Sequence, residues 1–111
     1  MESVKVNILV IGRHEEILET VLRIINKSEN WVARGALKDE EAIALFDSLK
    51  FDIVLLCGGI QEECEAVLRN TFMQKNPEII IIQHYGGGSG LLSNEIIHAL
   101  SQRTSSNNYN V

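Results

Sequence analysis

The stretch that most narrows what this chain can fold into is Ile53-Val54-Leu55-Leu56. It is preceded by Phe51-Asp52 and followed by Cys57-Gly58-Gly59. An unbroken apolar run of this length, rich in branched side chains, reads as a strand buried on both faces. That is the pattern of a central strand in a parallel sheet. The two glycines end the strand, and Cys57 falls at its carboxyl end, where open α/β sheets place their ligands.

The rest of the chain supplies what such a strand needs. Residues 4–11 (VKVNILVI) alternate and then become solidly apolar, a first buried strand that stops at Gly12. Arg13-His14-Glu15-Glu16 opens a helix, with carboxylates in its first turn to suit the positive end of the dipole. Ile17, Leu18, Val21, Leu22, Ile24 and Ile25 give that helix a wide apolar stripe, and it fades near 27–30. Residues 31–36 (WVARGA) read as a short strand near the sheet edge, with Trp31 anchoring the rim of the core. A second helix begins near Lys38-Asp39 and buries Ala42, Ile43, Leu45, Phe46 and Leu49. A third runs over 60–74, with Cys64, Val67, Leu68 and Phe72 at helical spacing. Pro77, the sole proline, follows it as a breaker. Residues 78–83 (EIIIIQ) form another buried strand. Next come four glycines within His84–Gly90, then a fourth helix over 91–101 that starts at Ser89 or Ser93.

Strands and helices thus alternate with short connections. This calls for a three-layer α/β/α, flavodoxin-like domain with a parallel sheet of order 2-1-3-4, joined by right-handed crossovers. A fifth strand is absent or vestigial. At 111 residues the chain makes one domain over 1–103, with 104–111 as a flexible tail that could at most add a strand. A formal charge of −5 argues against nucleic acid as a partner. No apolar run approaches the length of a membrane span, and the N-terminus lacks the layout of a signal peptide. Cys57 and Cys64 therefore read as reduced thiols of a cytoplasmic protein.

Residues 39–46 (DEEAIALF) followed by 51–56 (FDIVLL) resemble the second helix and third strand of a response-regulator receiver (CheY-like) domain. Residues 7–11 and 77–83 fit the first and fourth strands of the same frame, and the resemblance spans 4–100. The working residues of the family are missing. Receivers end the first strand in an acidic pair that holds a divalent cation; the matching positions here are Gly12 and Arg13. The phosphoacceptor aspartate at the end of the third strand matches Cys57. The Ser or Thr ending the fourth strand matches Gln83, or Ile82 if the register slips. The Lys-Pro that ends a fifth strand has no counterpart. Magnesium takes hard oxygen ligands, commonly one or two carboxylates, and an acyl phosphate needs a carboxylate. The resemblance therefore implies a degenerate, C-terminally truncated receiver, a pseudo-receiver without phosphoryl chemistry, metal or cofactor.

The topology brings three loops to the carboxyl edge of the sheet: Gly12-Arg13-His14, Cys57-Gly58-Gly59, and Gln83-His84-Tyr85-Gly86-Gly87-Gly88-Ser89-Gly90. A glycine-rich loop entering a helix leaves N–H groups free for an anion, and Arg13, His14 and His84 add basic or titratable groups. This edge is the candidate ligand site, although no Walker or G-x-G-x-x-G arrangement is present. Cys57 could act as a low-pKa thiol beside Arg13, or simply pack as a small core residue. The C-x5-R loop of low-molecular-weight phosphatases is absent, since Glu63 lies six residues after Cys57. The cysteines and the histidines at 14, 84 and 98 have no metal-ligand spacing, and His98 reads as a helix-surface residue. No catalytic residue is expected.

Three readings follow. The first is a non-catalytic, receiver-like signalling module of two-component type that works by protein contact. The second is an anion or small-molecule sensor using loop 86–90. The third is a thiol enzyme or redox switch at Cys57. A receiver lacking its last strand and helix leaves the fourth strand and a face of the third helix short of cover. Tyr85 beside the glycines is a contact residue of the kind interfaces use. A bare strand edge invites pairing, so a homodimer or an added tail strand is expected, along with a signalling-protein partner.

Overall fold

The structure, a computed structural model, describes residues 5–84 and 94–100. Its elements run β1 (Val6–Ile11), α1 (Glu15–Asn26), β2 (Trp31–Ala36), α2 (Asp39–Ser48), β3 (Ile53–Cys57), α3 (Glu62–Lys75) and β4 (Ile80–His84). A final helix, α4, covers 94–100. The sheet is parallel, in the order β2-β1-β3-β4. The expected flavodoxin-like topology is the one observed. Whether the fourth helix begins at Ser89 or Ser93, and whether the tail adds a strand, lie outside the described residues.

The two inner strands carry the core. Ile8–Ile11 and Ile53–Cys57 are buried at every position. Because strand side chains alternate, each strand feeds two cores. Ile8, Val10, Ile53, Leu55 and Cys57 meet Leu18, Val21 and Ile25 of α1 together with Ile96 of α4. Leu9, Ile11, Val54 and Leu56 meet Ala42 and Phe46 of α2 and Leu68 and Phe72 of α3. Phe46 stacks on Phe51 with centroids 6.2 Å apart and tilts against Phe72 at 4.6 Å. Each such side chain contributes roughly 1.5–3 kcal/mol by leaving water, so this double burial dominates the fold.

Two stripes are narrower than their periodicity suggests. Ile17 of α1 and Val67 of α3 are 52% and 61% exposed. A helix lying on a flat sheet buries only the middle of its apolar face, and these residues sit on the flanks. Gly35 in β2 shows how close α1 lies. A Cβ there would stand 2.8 Å from Leu22 Cδ1, so the missing side chain lets the helix settle on the strand.

The layers obey one handedness. β1 to β2 moves one way across the sheet with its helix on the first face. β2 to β3 and β3 to β4 move the other way, with α2 and α3 on the opposite face. These are right-handed crossovers. After β4, however, α4 lies on the α1 face, where Ile96 and Leu100 pack. A helix leading right-handedly to a strand beyond β4 would lie on the α2/α3 face.

The two sheet edges are finished differently. On β2, the side chain of Asn26 accepts from the N–H of Ala33 at 2.8 Å and donates to its C=O at 3.3 Å. That N–H is not shared with β1, so the amide of Asn26 stands in for a neighbouring strand. Arg34 is exposed on the same strand. Replacing Asn26 with leucine should cost about 1–3 kcal/mol, because two part-buried backbone groups lose their partner. Urea unfolding of Asn26→Leu at unchanged m-value measures this loss.

Candidate functional site

The carboxyl edge is assembled from the ends of β1, β3 and β4 and the starts of the helices. Gly12 follows β1, and its N–H donates to the Ala36 carbonyl at 3.1 Å. A Cβ on Gly12 would lie 3.5 Å from Cys57 Cβ, so the two inner strands close on each other here. Arg13 does not point free into the edge. One guanidinium nitrogen donates to the Leu37 carbonyl at 3.1 Å, and another donates to Asp39 Oδ1 at 2.7 Å. It ties the β1–α1 turn to the β2–α2 turn.

His14 is the exposed residue preceding α1. Its ring edge passes 3.7 Å from where a Gly59 Cβ would sit, and Gly59 itself has φ +94°. That conformation is readily available only to glycine. Among the described residues, no other group lies within 4 Å of a Cβ placed on Gly58. The helices α1, α2 and α3 all start at this edge. Their first turns carry Glu15 and Glu16, then Asp39, Glu40 and Glu41, then Glu62, Glu63 and Glu65. None has a side-chain cap bond. The dipole ends that would attract an anion are already furnished with carboxylates.

Of the two readings left open for Cys57, a low-pKa thiol beside Arg13 and a small packed core residue, the geometry fits the second. Cys57 is only 2% exposed, and burial pushes its thiol up from 9.0 to about 11. Arg13 is engaged with Asp39 and does not offset that cost. His84 was read as part of the glycine loop. It is the last residue of β4, paired in register with Cys57, and 4% exposed. Its Nδ1–H donates to Glu95 Oε1 at 2.7 Å, which satisfies the buried ring and fastens α4 to the strand end. Gln83 turns to the other face. With its amide oriented to suit the partners, Nε2 donates to Glu65 at 2.8 and 3.1 Å. Glu65 in turn accepts from Arg69 Nε at 2.8 Å. Tyr85, Gly86, Gly87, Gly88, Ser89 and Gly90 lie outside the described residues.

Asp39, Glu65 and Glu95 are the partners that the sequence did not expose. They lie 26, 18 and 11 residues from the side chains they hold, and no periodic signal links them. Among the described residues, no group of three or more His, Cys, Asp or Glu side chains could hold a metal ion. No described helix is long and apolar enough to cross a membrane.

With this geometry in view, the solved structures give a consistent comparison. The chain is similar to the signal receiver domain of an HD domain-containing protein from Pseudomonas fluorescens Pf-5. That match has a TM-score of 0.75 and 16% identity over 91% of this chain and 98% of that one. A CheY-like receiver domain protein from Methanospirillum hungatei JF-1 gives 0.76 and 16%, over 94% and 99%. A response regulator receiver protein from Pseudomonas putida gives 0.65 and 20%, over 88% and 82%. The chain has a CheY-like receiver fold. At these identities the likeness is one of fold alone. No protein-family model matches the sequence, and no curated protein matches it.

On this receiver fold, Cys57 closes β3 as a packed thiol. At a pKa of about 11, only about one thiol in ten thousand is ionised at pH 7. Iodoacetamide at pH 7 should therefore modify half-buried Cys64 well before Cys57, as peptide mass spectrometry would show. Folding holds the thiol protonated above its unfolded value, so its contribution is complete below pH 9. It is lost as pH rises from 9 toward 11. Cys57→Ala should flatten that part of the stability–pH curve. Glu95→Ala leaves His84 buried without its partner and should cost about 1–3 kcal/mol, read by thermal unfolding with circular dichroism.

Proposed function

We propose that this chain is a non-catalytic, receiver-like signalling module that acts through protein contact. It keeps the scaffold and has lost the phosphoacceptor aspartate and the metal-holding acidic pair. One observation carries this reading: among the described residues, the ends of β1 and β3 present no carboxylate at the positions matched to the receiver acidic pair and phosphoacceptor. Gly12, Arg13 and Cys57 occupy its three key positions, Arg13 is neutralised by Asp39, and Cys57 is buried. The free thiols suit a reducing compartment such as the cytoplasm.

We also place the shortening of the scaffold between β4 and the last helix, in preference to its C-terminal end. Two observations support this. α4 lies on the α1 face, and the matched spans reach over 98% and 99% of two solved receivers. The sensor reading, an anion held at Gly12–His14, Cys57–Gly59 and Gln83–Gly90, is weakened by the engagement of Arg13 and by the acidic first turns around that edge.

The test is incubation with acetyl phosphate and magnesium, followed by intact mass measurement. The wild-type chain should gain no phosphoryl group. Neither should Cys57→Asp, verified as folded by circular dichroism, because Gly12 and Arg13 still provide no carboxylate for the metal. A stable adduct on either protein would overturn the non-catalytic reading. Binding of inorganic phosphate with loss on His14→Ala, measured by calorimetry, would favour the sensor.

A further inference from the structure

We infer that the outer edge of β4 pairs antiparallel with β4 of a second copy of this chain, about a two-fold axis at Ile81. This inference deepens the contact-module reading above by naming the contact.

β4 has the composition of an interior strand and the position of an edge strand. Ile79-Ile80-Ile81-Ile82 is as apolar as the runs in β1 and β3. Yet Ile80 through Gln83 are only partly buried, and β3 is the strand's sole neighbour among the described residues. Natural edge strands are guarded by charge, proline or a covering group. β2 has such guards in Asn26 and Arg34, whereas β4 carries no charged side chain apart from titratable His84 and no proline.

The chain's own tail is a poor candidate for that edge. Residues 101–111 follow α4, which lies on the α1 face. A parallel strand reached from there and laid beside β4 would need a left-handed crossover, an arrangement seen in about 2% of such units.

A second copy fits without that cost, and the pleat fixes how. The Ile80 N–H donates inward to the Asp52 carbonyl at 3.3 Å. Alternation then turns the N–H and C=O of Ile81 and Gln83 outward. A two-fold axis perpendicular to the sheet keeps each face on its own side, so facing residues must share parity. Centring the axis on Ile81 places Ile81 opposite Ile81 as a hydrogen-bonded pair and Ile80 opposite Ile82 on both flanks. Every facing pair among these is then isoleucine with isoleucine, which favours cross-strand packing. An isologous contact of this kind needs no second surface. The result is a continuous eight-stranded sheet.

Sedimentation velocity of the full chain should show a dimer. Ile81→Pro removes the outward N–H and should weaken dimerisation by at least about tenfold. Because proline there could also unfold the strand, Ile81→Cys in a Cys64→Ser background provides a second arm. Oxidation should give a disulfide-linked dimer, which Ser48→Cys in the same background should not. Hydrogen exchange at the Ile81 and Gln83 amides should slow as concentration rises. A monomer with these amides freely exchanging would overturn the pairing. So would a monomer with them protected at every concentration, which would mean that the chain covers its own edge. Either result leaves the acetyl phosphate test untouched, and a phosphoryl adduct in that test would leave the pairing standing.

Discussion

The structure depends on the hydrogen-bonded pair of β1 and β3, in which Ile8 faces Ile53 and Ile11 faces Leu56. Nine consecutive-strand positions, Ile8–Ile11 and Ile53–Cys57, have essentially no access to water. A strand buried on both faces demands cover on both faces, and helices are the elements that cover without competing for the ladder. From that demand follow α1 and α4 on one side and α2 and α3 on the other. The amino end of the pair is tied by Asn7 and Asp52. The Asn7 N–H donates to the Asp52 carboxylate at 2.9 Å, and the Asp52 N–H donates to the Asn7 carbonyl at 2.8 Å. The carboxyl end is tied by the packing of Gly12 on Cys57.

That same closeness decides the chemistry of the carboxyl edge. A residue ending β3 between Gly12 and the His84 position sits where water barely reaches. A thiol is content there, and its raised pKa is the direct consequence. A carboxylate in that place would need a cation or several donors to remain ionised, and Arg13 is already spent on Asp39 and Leu37. The edge has therefore become structural cement. Arg13–Asp39 joins two turns, His84–Glu95 holds a helix to a strand end, and Gln83–Glu65–Arg69 ties α3 to β4. Arg13, Gln83 and His84 have each found a partner inside the chain.

The sequence made the fold readable because burial has a period. The run 53–56, the alternation at 31–36 and the helical stripes each announce an element and a face, and the right-handed crossover orders the strands. It was less informative wherever a partner mattered more than a period. His84 is polar and stands beside glycines, so it read as a loop; its burial depends on Glu95 from another element. Arg13 read as a free cation because nothing local marks Asp39 as its counter-charge. Ile17 and Val67 read as core because a stripe gives a direction and no width. The meeting of the ends of β1, β3 and β4 was legible from the topology, whereas how Arg13, Gln83 and His84 are used there was not.

The side of the sheet taken by α4 is a further fact that no local pattern encodes, and it has the widest consequence. In a sheet extended by right-handed units, each added helix prepares the next strand on the same face. α4 breaks that progression by crossing to the α1 face, where it buries Ile96 against Leu18, Val21 and Ile25. It thereby completes a core that would otherwise lie open over β3 and β4. The helix closes one face of the domain and at the same time withdraws the element that would have carried a neighbour to β4. Among the described residues, a strand composed for the interior is left at the boundary. On the α2/α3 face its cover is polar at one end, with Gln83 held by Glu65, and apolar at Ile81. A boundary of this kind is uncharged along its backbone and alternates with a fixed parity, so its hydrogen-bonding demand is met best by another strand of the same pattern. The fold that packs a thiol at the carboxyl edge of its sheet thus presents, along β4, a surface shaped by the sheet's own geometry.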